Sequence, residues 1–142
     1  MKKFSFNMQK ILDLREFEQD QAQIELGKAI SHEASIDNTL EMVARQKVST
    51  VKEADGISDL NELFTANQYL NLLEQRKEKL LQEKTQAQLV TQQKREEMKD
   101  AMMKVKALEK LKQARKEEWK AETKRKEEKE TDDINNSKIF RS

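Results

Sequence analysis

The stretch Lys52-Glu53-Ala54-Asp55-Gly56-Ile57-Ser58-Asp59-Leu60 decides the fold. Asp-Gly is a turn signal. Asp59 followed by Glu62 reads as a capping-box-like start for a new helix. The chain therefore reverses at about residues 55–58. Before the reversal, apolar residues recur at three- and four-residue steps: Leu12, Ala22, Leu26, Ala29, Ile36, Leu40 and Val43, with Ile30 and Val48 beside the seam. After it the register runs Leu63, Ala66, Leu70, Leu73, Lys77, Leu80, Lys84, Ala87, Thr91, Lys94, Met98, Ala101, Val105 and Leu108. Alternating steps of three and four make the heptad seam of a coiled coil. The fold class is all-α: an antiparallel two-helix coiled-coil hairpin with an overhanging C-terminal helix.

Composition agrees. The 142 residues include no proline, no cysteine and two glycines. Average usage would supply about seven prolines and about ten glycines. Sandwiches, barrels and doubly wound α/β folds need frequent sharp turns and are excluded. Charged residues make up 39% and apolar ones 35%, which argues against one large globular core. The net charge of +1 gives no global pull toward nucleic acid or membrane. The missing cysteines are compatible with a reducing cytoplasm. No apolar run approaches the roughly 20 residues of a membrane span, and Met1-Lys2-Lys3-Phe4-Ser5-Phe6-Asn7 lacks the apolar stretch of a signal peptide.

The single domain, residues 1–142, divides into helix one at about 4–54, the turn at about 55–58, helix two at about 59–133 and a disordered tail at 134–142. A short turn makes the helices antiparallel neighbours. If it centres between Gly56 and Ile57, Leu40 meets Leu73, Val43 meets Leu70, Leu26 meets Ala87, Leu12 meets Ala101, Met8 meets Val105 and Phe4 meets Leu108. Gly27 lies within the helical pattern and weakens it by roughly 1 kcal/mol relative to alanine. At 1.5 Å per residue the helices are roughly 75 and 110 Å long. The second outruns the first by about 25 residues, from Lys110 to roughly Asp133.

Arg15, Gln19, Glu33, Lys77, Lys84 and Lys94 interrupt the seam. Long side chains can snorkel from a narrow two-helix seam; alternatively these positions fix register or leave a surface for a partner. Pairing of the helices would bring Glu33 near Lys77 or Lys84, so a salt bridge there is expected. The overhang holds nine basic and six acidic residues between Lys110 and Glu130. Without a partner such a segment should fray. Its lysines could neutralise phosphates, but the interleaved carboxylates blunt the field, and no nucleic acid is assigned as a partner. Trp119 is either a stray apolar residue or a protein-interface anchor, with no intramolecular partner in this register.

Catalytic chemistry is not legible. One histidine, His32, offers neither a metal-binding pair nor a triad, and reads as a helix-surface residue. There is no glycine-rich phosphate loop. Carboxylates on a hairpin without a concave pocket form a solvated face rather than an acid–base site. The chain reads as a non-enzyme with no cofactor and no metal.

Several segments resemble the flagellar FliJ family of the bacterial type III export apparatus. They are Tyr69-Leu70-Asn71-Leu72-Leu73-Glu74 just after the turn, residues 90–97, Lys106-Ala107-Leu108-Glu109-Lys110-Leu111-Lys112 late in helix two, and Glu127-Glu128-Lys129-Glu130-Thr131-Asp132-Asp133. The start, Phe4-Ser5-Phe6 with Leu12-Asp13-Leu14-Arg15-Glu16, is similar too. The family's first-helix tyrosines are replaced by Val43 and Lys47. The resemblance implies a hairpin like the rotor shaft of rotary ATPases. Its implied partners are the export ATPase ring, the export gate membrane protein and export chaperones. It implies a gate-binding surface at Leu40, Tyr69 and Leu73, and an ATPase-facing open end that includes the overhang. On that end, Trp119, Lys120, Lys124 and Lys126 are the candidate contact residues. The implied location is cytoplasmic, peripheral to the inner-membrane export apparatus, without membrane insertion. The alternatives are a structural coiled-coil dimerisation or scaffold module and, further off, a nucleic-acid-binding helical protein.

Overall fold

The computed structural model describes residues 3–141. Two helices follow in order, α1 (Gln9–Asp55) and α2 (Leu60–Arg141). The helices pack against each other within two compact units, Gln21–Lys99 and Met1–Asp20 with Asp100–Ser142. No strand occurs among the described residues.

Gln21–Lys99 contains the turn. α1 tightens at its end, where the Gly56 N–H donates to the Glu53 carbonyl at 3.3 Å and the Ile57 N–H to the Ala54 carbonyl at 3.1 Å. These three-residue closures satisfy carbonyls that the helix leaves open. Gly56 does not adopt a positive φ, so the reversal makes no use of left-handed freedom. Asp59 caps α2: its carboxylate accepts from the Asn61 N–H at 3.1 Å, and its carbonyl accepts from the Leu63 N–H at 3.0 Å. Glu62 adds negative charge to the first turn, where the helix dipole favours it.

The buried seam of this unit is Ala29, Ile36, Val43, Leu73, Ala87 and Thr91, all at positions the heptad register marks. The Thr91 hydroxyl donates to the Ala87 carbonyl at 3.0 Å, so its polar atom is satisfied inside the seam. Ile30 and Val48, beside the seam, are exposed. Of the interrupting residues here, Glu33, Lys84 and Lys94 are half-buried and Lys77 is exposed.

The register itself differs from the expected one. It would set Asp37 opposite Arg76 and Lys47 opposite Ala66. The ion pairs instead join Asp37 to Lys84 at 2.8 Å and Lys47 to Glu74 at 3.2 Å. Both lie about two turns further along α2, of which long side chains reaching diagonally account for about one. α1 runs to Asp55 and α2 begins at Leu60, so the turn, residues 56–59, is centred one residue later than expected, which moves the facing position two residues further along α2. The salt bridge expected at Glu33 is corrected by the same displacement: Lys84 pairs with Asp37, and among the described residues no ion pair joins Glu33 to Lys77 or Lys84.

In the second unit residues 3–6 are extended and Asn7 and Met8 form a turn before α1 begins at Gln9, so the chain is not helical from residue 4. Phe4, Phe6 and Met8 are turned inward, and Lys3, Ser5 and Asn7 outward. Over residues 3–6 that alternation belongs to an extended chain, in which side chains two apart share a face, and the Phe6 carbonyl, accepting from the Gln9 N–H at 3.0 Å, closes the turn that carries Met8 inward. Phe6, Leu12 and Val105 form a buried cluster, against which Phe4, Met8, Leu108 and Leu111 pack. Leu12 thus clusters with Val105 rather than Ala101, again about one turn further along α2.

α2 continues to Arg141, through the stretch read from sequence as a disordered tail. Neither proline nor glycine follows Gly56, so no residue there obliges a helix to stop. Ser142 lies outside the described residues.

Candidate functional site

Two surfaces carry the residues singled out by sequence, and each belongs to one unit. The first lies near the turn. Leu40 is half-buried, Tyr69 is 42% exposed and Leu73 only 4% exposed. Tyr69 and Leu73 are four residues apart and so neighbours on one helix face. The heptad register turns Leu73 into the seam and leaves the Tyr69 ring in water. Other large apolar groups surround this end of α2 that sequence reading did not select: Leu60, Phe64 and Leu72 are exposed, Phe64 at 63%. The signal was present, because all three fall off the three-and-four register that buries Leu73 and half-buries Leu70 and Leu80. An apolar residue that is off the seam has no intramolecular reason to be apolar.

The second surface is the C-terminal part of α2. Trp119 is half-buried, and its ring meets Phe4 at a centroid distance of 5.9 Å and an interplanar angle of 53°. Such tilted pairs align the ring edge of one partner with the face of the other. The expectation that Trp119 has no intramolecular partner is thereby corrected. The cause is the extended stretch at residues 3–6, ahead of the turn at Asn7 and Met8. It advances about 3.3 Å per residue against 1.5 Å in a helix, so Phe4 reaches well beyond Leu108 along α2. Leu111 is covered as well, through its contact with the Phe6 cluster. The first turns of the overhang are therefore not bare.

Beyond Trp119 the arm is solvent-facing. From Lys120 to Ile139 every side chain is exposed except that of Thr123, which is half-buried. Lys120 and Lys124 stand four apart on one face. Lys126 lines an open groove with Trp119, Glu122, Glu127, Glu130 and Ile134. Lys124 shares a second with Glu127, Glu128 and Asp132. Lys124 and Lys126 are thus set among carboxylates on a helix open to water. A surface of this kind exchanges salt bridges with a charged partner at low individual strength, typically under about 1 kcal/mol each.

His32 is exposed. Among the described residues, no group of three or more His, Cys, Asp or Glu side chains is placed to hold a metal ion. No helix among them is long and apolar enough to cross a membrane.

Comparison with known proteins places this geometry in context. The chain matches the family model described as flagellar FliJ protein over residues 4–142. No curated protein and no solved structure matches it.

Proposed function

Because the chain belongs to the flagellar FliJ family, and is thereby a component of the flagellar export apparatus, we propose that it works there as a non-enzymatic coupling element. Its arm engages the export ATPase ring through Trp119, Lys120, Lys124 and Lys126. The surface near the turn engages the export gate, with Tyr69 making direct contact, Leu40 at its margin and Leu73 holding the helix face beneath. Export chaperones bind the same protein in the course of their cycling. The location that follows is cytoplasmic, peripheral to the inner membrane at the export apparatus.

The observation carrying this reading is the family match over nearly the whole chain. The distribution of side chains supports it. A charged, exposed arm suits contacts that shift, because each salt bridge is weak and forms without desolvating a deep interface. The exposed Phe64, Tyr69 and Leu72 suit a more permanent contact, because burying apolar area needs a fitted surface.

The test is a pair of captures and one rate. Charge reversal of Lys120, Lys124 and Lys126 to glutamate should abolish stimulation of the export ATPase and leave capture by the gate protein intact. Tyr69→Ala should do the opposite. If both variants stimulate the ATPase, bind the gate and support export like the parent, the proposal is wrong.

A second reading, a dimerisation or scaffold module, is favoured by one observation: Leu72, Leu89 and Val90 are apolar and exposed away from the seam. It requires a concentration-dependent dimer in sedimentation, whereas the coupling element is functional as a monomer.

A further inference from the structure

Residues 3–8 hold α2 by side chains alone. Phe6 is buried with Leu12 and Val105, and Phe4 lies on Trp119. Among the described residues, the backbone hydrogen bonds of this segment run to the start of α1: the Phe6 carbonyl accepts from the Gln9 N–H and the Met8 carbonyl from the Leu12 N–H, each at 3.0 Å. α1 has no acidic residue in its first turn to complement the dipole. The segment can therefore leave α2 without breaking a backbone bond to it, at the cost of the side-chain contacts of Phe4, Phe6 and Met8 alone.

We propose that residues 3–8 are a displaceable strap, which covers the Trp119 face of α2 until a basic, aromatic segment of a partner takes its place. The chemistry of that partner is written in the strap. Lys3 lines the same groove as Arg115, Glu118 and Glu122, where the two carboxylates outnumber the one guanidinium of α2, and Phe4 and Phe6 supply the rings. A competitor must present a cation to the two carboxylates and an aromatic side chain to Trp119. Phe4 and Phe6 both face inward, which means that the aromatic part binds extended, since on a helix residues two apart point about 200° from each other. The arm beyond Lys120 and the face at Trp119 then differ in kind: the arm is exposed with the strap in place, and the Trp119 face opens only when the strap has left. The strap is a property of the isolated chain, whichever protein the arm meets.

The chain has one tryptophan, so its fluorescence reports on this face alone. Phe4→Ala should red-shift the emission and steepen its quenching by acrylamide, with far-ultraviolet circular dichroism unchanged. Phe17→Ala, which removes an exposed ring elsewhere on α1, should leave both as in the parent. On heating the parent, the emission shift should precede the loss of helix signal, and that early step should be gone in Phe4→Ala. A synthetic peptide of residues 1–8 added to Phe4→Ala should reverse the red shift saturably, and the same peptide carrying Phe4→Ala should not. The proposal is overturned if Phe4→Ala emits like the parent. It is overturned equally if the early step persists in that variant, because the arm then frays without any strap. Coincident transitions in the parent, or no response to the peptide, would likewise refute it.

Discussion

Gly27 sits in the interior of α1, exposed, with no atom within 4 Å of where a Cβ would stand. Its φ is not positive. Replacing it by alanine therefore adds no contact, creates no clash and strains no dihedral. The whole effect comes from the backbone. Glycine loses more conformational freedom on folding than any other residue, and in a helix interior this costs about 0.8–1.0 kcal/mol relative to alanine. Gly27→Ala should stabilise the chain by that amount, through a less disordered unfolded state. With an unfolding entropy near 2.1 cal/mol/K per residue, a chain of this size should gain about 3 °C in Tm per kcal/mol. The assay is thermal unfolding followed at 222 nm, repeated at several protein concentrations, with urea titration as a check. An unchanged slope with a higher midpoint would locate the gain in stability rather than in compactness. An unchanged or lowered Tm would refute the reasoning. It would mean that residue 27 is not in open helix, or that its face is covered in solution by something a methyl group disturbs.

Leu12 is 2% exposed and Leu14 is 51% exposed, so Leu12→Ala should cost about 2–4 kcal/mol and Leu14→Ala under about 1 kcal/mol, read from urea midpoints. The Asp37–Lys84 pair is partly exposed, so Asp37→Ala should lower stability by less than about 1 kcal/mol, and the difference from the parent should shrink when melts are repeated at high salt. Asp59→Ala removes the α2 cap and should cost about 1 kcal/mol, with faster amide exchange in the first turn of α2 as the local sign.

Much of the hairpin was legible in the one-dimensional pattern. The seam residues Ile36, Val43, Leu73, Ala87 and Val105 are buried, and their three-and-four spacing says as much without any tertiary knowledge. The reversal near Gly56 and the cap at Asp59 were legible for a similar reason, since turn and cap chemistry act within a few residues. Register was not. A heptad pattern reads equally well when one helix slides by a turn along the other, and only the closing geometry of the turn chooses between those placements. Residues 3–8 were misread because Phe4 and Phe6 continue an apolar pattern into α1. The spacing of Phe4, Phe6 and Met8 by two was the available signal against a helix. The gate-facing and arm residues stand on a resemblance, because exposed side chains carry no periodicity of their own.

The amino-acid sequence by itself determined that this chain makes two helices joined once, and which stripe of each is buried. Helix formation, breaking and capping are local, and a heptad stripe is apolar for only one purpose. The tertiary structure alone decided which residues meet across the stripe. It set Asp37 on Lys84, brought Leu12 to Val105 and laid Phe4 on Trp119. Those contacts join residues distant in sequence, and the placement of the turn and the extension of residues 3–6 settle them, not the preference of any residue taken singly.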